Sequence, residues 1–178
     1  MRNRREFIKS VAGAAAGAYL AGSSVADAAV QAAQAGAPVA RREVRVGSKR
    51  VKVVDVHAHA NVSEIADVVK GTPLERFARG AGRALGPDRM QEMDKRGIDV
   101  QALDINTFWW YAADRDLATK IVQVQDEGLS KWCAAHSDRF VAFTSPALQF
   151  PDLAAEQVEH AVKQLGMRGV AIGGHING

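Results

Sequence analysis

The fold and function predicted for this chain depend on the stretch Val53-Val54-Asp55-Val56-His57-Ala58-His59-Ala60, in which a predicted strand ends with two histidines. Its β-branched residues favour a strand, in which alternate side chains lie on the same face of the sheet. Asp55, His57 and His59 are therefore expected to project together. Two imidazoles on one face can bind one divalent cation, and a nearby carboxylate can support a ligand ring. The pattern predicts metal ligands at His57 and His59 with Asp55 behind them; a purely structural histidine pair is the alternative.

Segments with the spacing of strands alternate with segments that have the spacing of helices, which predicts βαβ units and a parallel sheet. A short hairpin at 43–53 leads into the first strand. The strand-like segments are 51–56, 98–105, 140–145 and 169–172, the helix-like segments are 88–96, 114–136 and 152–165, and an irregular glycine-rich connection covers 71–87. In parallel barrels the carboxyl ends of the strands form the active-site rim, which is where His57 and His59 fall.

Three segments resemble the amidohydrolase-related family that contains aminocarboxymuconate-semialdehyde decarboxylase: the first strand at 53–59 and the blocks at 90–100 and 169–175. The resemblance runs from about residue 51 to Gly178. It implies an α/β fold of the (β/α)8 TIM-barrel type, with about the first four βα units, the N-terminal half, in this chain. It also implies a bound divalent metal, with zinc expected. The family's ligands are the first-strand histidine pair, a fifth-strand histidine and an eighth-strand aspartate. Only the pair has counterparts here, at His57 and His59, so the catalytic residues are expected beyond Gly178.

Several residues that follow the predicted strands are candidates for the substrate pocket. Asn106, Trp109 and Trp110 come after the second strand on the rim side, where they can line the pocket or simply pack against their neighbours. His175 comes after the fourth strand by our count, whereas the family's third ligand belongs to the fifth. We therefore predict that His175 lines the pocket rather than binding the metal, with a structural role in its loop as the alternative.

An export signal is predicted at the N-terminus, where a charged start, a short apolar run and a small-x-small site follow one another. The paired Arg4 and Arg5, followed by Phe7, resemble the bacterial twin-arginine signal. The apolar run is too short and too rich in glycine and alanine to span a bilayer stably. We expect a periplasmic or otherwise exported protein that the twin-arginine machinery recognises; a membrane anchor or a chance basic start is the alternative. The expected organisation is signal peptide 1–28, flexible linker 29–42 and barrel portion 43–178.

Composition narrows the classes of partner. The net charge of +3 comes mainly from the predicted signal peptide, so the sequence does not indicate a nucleic-acid partner. Basic residues at 41–52 alternate with valines, which is typical of a solvated edge strand. Cys133 is the only cysteine, which excludes an intramolecular disulfide and a cysteine-based metal cage.

These features together predict a metal-dependent enzyme, either a hydrolase or a non-oxidative decarboxylase, for a small carboxylic or carbonyl substrate. A metal-bound hydroxide can attack a carbonyl or assist the loss of carbon dioxide, and the residues do not choose between these reactions. As a fragment the chain alone is expected to be inactive. Two alternatives stay open: a truncated product without activity, and a metal-dependent phosphoesterase or nuclease. A homo-oligomer is compatible with the sequence.

Overall fold

A four-stranded parallel sheet carries the histidine motif in the computed structural model, which describes residues 40–78, 83–105 and 110–176. The strands are β1 (Arg45–Val46), β2 (Lys49–Arg50), β3 (Val54–Asn61), β4 (Arg83–Ala84), β5 (Val100–Ile105) and β6 (Phe140–Ala142). The helices are α1 (Ile65–Val68), α2 (Glu75–Ala78), α3 (Pro87–Arg96), α4 (Arg115–Ala135) and α5 (Pro151–Lys163). Strands β1 and β2 form the antiparallel hairpin that was predicted, and the parallel sheet has the order β4-β3-β5-β6. The predicted parallel α/β fold is therefore confirmed.

The three longer helices form within two residues of their predicted bounds because their ends carry local signals. Helix α4 follows Asp114, whose carboxylate accepts a hydrogen bond from the N–H of Leu117 at 2.9 Å. Helix α3 begins with Pro87 and ends at Gly97, which adopts the left-handed conformation at φ 74°. A Cβ at Gly97 would also lie 2.9 Å from the carbonyl oxygen of Arg42. Capping and backbone geometry thus explain where these helices begin and end.

The strands differ more from expectation than the helices do. The first strand was predicted at 51–56 as a buried strand, but β3 runs from Val54 to Asn61 and leaves Val56 69% exposed. The fourth strand, predicted at 169–172, forms only a parallel bridge between Thr144 and Val170. Strand β4, which pairs with the end of β3, lies in the connection that was predicted to be irregular. A strand depends on partners that are distant in sequence, so its ends are not set by local residues alone.

The hydrophobic core lies between the sheet and the helices packed on it. Strand β5 contributes Leu103, β6 contributes Phe140, and α4 contributes Ile121 and Leu129; each is at most 2% exposed. Burial of one such side chain contributes about 1.5–3 kcal/mol. Among the described helices, none is both long enough and apolar enough to cross a membrane.

A buried aspartate ties the hairpin to the amino-terminal end of the sheet. Asp99 accepts hydrogen bonds from the N–H of Val53 at 2.8 Å and from the Arg50 guanidinium at 2.5 Å, and it forms an ion pair with Arg41 at 2.7 Å. The Val53 amide and then the Arg50 guanidinium hold the pKa of Asp99 below its usual value, although burial opposes them. Part of the basic run at 41–52 therefore neutralises an internal carboxylate.

Candidate metal centre

The two histidines of the motif converge near the carboxyl end of β3. Their Nε2 atoms are 3.0 Å apart, and the ring centroids are 4.5 Å apart with the planes 75° from parallel. Two imidazole nitrogens that each lie roughly 2.0–2.1 Å from one divalent cation are separated by about 3 Å. The side chains of His57 and His59 therefore have the spacing that a shared cation requires.

A carboxylate on the neighbouring strand holds the second histidine. The Nδ1 of His59 lies 2.6 Å from the Oδ1 of Asp104, and the two residues are direct partners in the register of β3 and β5. Asp104 is only 6% exposed. An ionised carboxylate can only accept, so the Nδ1 of His59 donates in this contact and its Nε2 faces the other way. This is the arrangement in which an imidazole binds a metal through Nε2.

A second set of hydrogen bonds fixes the main chain of both histidines. The buried guanidinium of Arg89 donates to the carbonyl oxygen of His59 at 2.7 Å and to the Gln101 side chain at 3.0 Å. The Gln101 amide donates to Asp55 at 3.0 Å, and the other carboxylate oxygen of Asp55 accepts from the N–H of His57 at 3.2 Å. The pair is thus positioned by groups from α3, β3 and β5.

The structure gives Asp55 a different contact from the one expected. Its carboxylate bonds the main-chain N–H of His57, whereas the imidazole contact comes from Asp104. The register of β3 and β5 shifts between Asp55 and Ala58, so simple alternation does not hold across that part of the strand. Asp104 was not among the residues predicted to support the histidine pair. The available signal was an acidic residue near the carboxyl end of a largely apolar strand.

Two of the predicted pocket residues, Trp110 and His175, lie in the part of the chain that the structure describes. Trp110 is 9% exposed and its indole N–H donates to Gln125 at 2.8 Å, so it packs in the core rather than lining an open pocket. Its φ of 53° is unusual for a residue other than glycine. His175 is exposed, and no contact with the histidine pair is described for it. Asn106 and Trp109 lie outside the described residues, as do Arg4, Arg5 and Phe7 of the predicted signal.

A third ligand is not present in the part of the chain that the structure describes. Within residues 40–78, 83–105 and 110–176, no group of three or more histidine, cysteine, aspartate or glutamate side chains is arranged to hold a metal ion. Two imidazoles leave at least half of the coordination positions of a cation to water, whereas catalytic zinc sites have three protein ligands. The described residues therefore bring together two imidazoles, fewer protein groups than a catalytic zinc site uses.

Comparison with known proteins gives a consistent set of matches. The family model described as "Amidohydrolase" matches residues 54–178. A γ-resorcylate decarboxylase from Rhizobium sp. (strain MTP-10005) is 36% identical over 87 residues, which is 48% of this chain and 27% of that protein.

Solved structures agree with the sequence match. The crystal structure of 2,6-dihydroxybenzoate decarboxylase from Rhizobium is 29% identical, with a TM-score of 0.57 over 70% of this chain and 39% of that one. A dihydroxybenzoic acid decarboxylase from Polaromonas sp. JS666, solved with bound manganese and the inhibitor 2-nitroresorcinol, is 25% identical, with a TM-score of 0.58 over 70% and 39% of the two chains. The chain spans less than half the length of each of these relatives.

Proposed function

This chain belongs to the amidohydrolase family, and we propose that it supplies the first metal-binding pair of a divalent-metal-dependent decarboxylase acting on a small hydroxylated aromatic acid. The observation that carries the proposal is the 3.0 Å separation of the Nε2 atoms of His57 and His59. Relatives that act on dihydroxybenzoates, one of them with bound manganese, support decarboxylation over hydrolysis. Zinc stays our prediction for this chain, since imidazole nitrogen suits zinc well.

The fold we propose for the complete site is a (β/α)8 barrel in which this chain forms about the first four βα units. Strands β3, β5 and β6 and the bridge at Val170 follow one another in parallel order, with helices between them. Apolar side chains are exposed at two places without a described neighbouring strand: Ile172, which follows the bridge at Val170, is 59% exposed, and Val56, in the part of β3 that β4 does not reach, is 69% exposed. Exposed residues of this kind at a sheet edge favour further packing.

In the proposed decarboxylation, the residues around His57 and His59 would hold the two imidazoles in place for a cation. A bound divalent cation would supply positive charge that stabilises the negative charge developing on the substrate. Asp104 contacts the Nδ1 of His59 at 2.6 Å and holds the imidazole ring in place. Arg89 and Asp55 fix the main chain of the two histidines, so that the rings keep their spacing before a cation arrives.

Metal titration tests the first part of the proposal. Calorimetry with Zn²⁺ and Mn²⁺ is expected to show one site per chain. His57→Ala and His59→Ala should each weaken binding by at least about tenfold, because a single imidazole remains. His160→Ala is the matched control, since His160 is an exposed histidine of α5. Equal affinities for His57→Ala and the control would contradict the proposed site.

The reaction itself needs a complete site. We expect this chain alone to release no carbon dioxide from 2,6-dihydroxybenzoate, because its described residues provide two ligands. A chimera in which residues 54–178 replace the structurally matching segment of the Rhizobium decarboxylase should be active with added metal and inactive after His59→Ala. A chimera that folds, binds metal and instead hydrolyses amides or phosphodiesters would favour the hydrolase or phosphoesterase alternative.

A further inference from the structure

We infer that Asp104 is a positioning residue of the metal pair, which holds His59 as the Nδ1–H tautomer and so keeps the Nε2 lone pair available to a cation. The inference rests on the proposed metal-binding function. It concerns a residue that lies outside the His-x-His motif and 45 positions from His59 in the sequence.

The geometry of the contact is set by the sheet. His59 and Asp104 are paired in the register of β3 and β5, and their side chains meet at 2.6 Å. Asp104 itself is only 6% exposed, so its carboxylate is almost completely buried. A carboxylate in such surroundings is costly unless it is hydrogen-bonded, and His59 provides that hydrogen bond. If position 104 served only to pack the strand, an apolar residue would be more favourable there than a carboxylate.

The contact decides which ring nitrogen of His59 carries the proton. In a neutral histidine, the hydrogen-bond partner of one ring nitrogen determines which of the two nitrogens stays unprotonated. With Asp104 accepting from Nδ1, the Nε2 of His59 can accept from the Nε2–H of His57, which agrees with their 3.0 Å separation. The Nε2 of His57 would have to give up its proton, for example to its own Nδ1, before it could bind a cation, whereas the Nε2 of His59 carries no proton in this tautomer. Asp104 therefore prepares one of the two ligands in advance.

Histidine NMR separates this role from a purely structural one. In ¹⁵N-labelled, metal-free protein at a pH well above about 6.5, the ordinary pKa of histidine, His59 should be the Nδ1–H tautomer. Asp104→Ala should shift it toward Nε2–H. Asp104→Asn keeps an oxygen that accepts the same N–H without the charge, so it should retain the tautomer. An unchanged Nδ1–H tautomer in folded Asp104→Ala protein would overturn the inference.

Zn²⁺ affinity provides the second measurement. Asp104→Ala should weaken binding by about 10–100-fold, the usual effect of removing the partner of a ligand histidine, and Asp104→Asn should weaken it less. Asp126→Asn is the matched control, because it changes another buried aspartate, whose partner is Thr144. If Asp104→Ala does not fold, Asp104→Thr replaces it: the side chain suits a strand, and its hydroxyl is one bond too short for the same contact.

Failure of the proposed metal site and failure of the positioning role of Asp104 would give different results in these two measurements. Wild-type protein that shows the expected tautomers but binds no Zn²⁺ would overturn the proposed metal site and leave the hydrogen-bonding role of Asp104 intact. Equal Zn²⁺ affinities of the wild type, Asp104→Ala and Asp104→Asn would overturn the positioning role of Asp104 and leave the metal site intact.

Discussion

At the scale of single residues, the described part of the chain buries three aspartates whose partners differ. Asp99 forms ion pairs with two guanidinium groups, and Asp104 is hydrogen-bonded to an imidazole. Asp126 accepts one hydrogen bond, from the Thr144 hydroxyl at 2.6 Å. The other carboxylate oxygen of Asp126 is buried without a described partner. Burial raises the pKa of Asp126 to about 7, and the Thr144 hydrogen bond only partly opposes this shift. The same residue type is therefore stabilised as an anion at one place and destabilised at another.

Asp126→Asn is predicted to stabilise the chain at alkaline pH. The folded state keeps its proton on Asp126 up to about pH 7, whereas an unfolded chain releases it near the ordinary value of 3.8. The contribution of Asp126 to stability therefore falls as the pH rises between these two values and is constant above them. Above pH 7 the variant should gain about 1–3 kcal/mol, less than the pKa shift alone implies because the new amide N–H₂ also needs a partner.

Urea unfolding at several pH values measures this effect. The advantage of Asp126→Asn should be largest in mildly alkaline buffer and should shrink as the pH falls toward 4. Asp152→Asn is a suitable comparison, because Asp152 is an exposed aspartate whose pKa the Arg115 guanidinium lowers to about 2. An advantage for Asp126→Asn that does not vary with pH would contradict the explanation.

At the scale of elements, helix α4 approaches the segment after β3 so closely that glycine is needed at the contact. A Cβ built on Gly128 would lie 2.6 Å from a methyl carbon of Val62, which is 3% exposed. Alanine gains up to about 1 kcal/mol over glycine in a helix interior. Overpacking a well-filled contact costs about 1–3 kcal/mol, so it outweighs that gain.

Gly128→Ala is therefore predicted to destabilise the protein by about 1 kcal/mol, the difference between these two effects. The double variant Gly128→Ala/Val62→Ala gives the control, because the methyl groups that cause the clash are then absent. In the Val62→Ala background, Gly128→Ala should be neutral or stabilising. Thermal or urea unfolding of the four proteins completes the cycle, and an equal loss in both backgrounds would exclude the contact as the cause.

The helices were predictable for reasons that the strands do not share. Asp114 and Gly97 act on backbone groups within a few residues, so their effect is visible in the sequence. The short pairing at Val170 and the two-residue strand β4 depend on how distant segments align. The shift in register between Asp55 and Ala58 also depends on how β3 aligns with β5.

At the scale of the whole molecule, we propose that residues 1–28 direct export of the folded protein through the twin-arginine route. The proposal rests on the sequence alone, because these residues lie outside the described structure. In a fusion of residues 1–40 to a fluorescent protein, Arg4→Lys/Arg5→Lys should keep the reporter in the cytoplasm of a bacterial host. Arg2→Lys lies outside the pair and serves as the control. Equal export of both fusions, measured by cell fractionation, would contradict the assignment.

The amino-acid sequence by itself determined the parallel α/β class, the family resemblance, the helix ends and the choice of His57 and His59 as candidate ligands. Each of these depends on residues that are close together in the chain or on a motif with its own spacing. Only the tertiary structure decided that Asp104 holds the ring of His59, that Arg89 holds its carbonyl group and that Trp110 is buried. Those contacts join residues on different strands and helices, so they depend on strand register and packing, which no local pattern specifies.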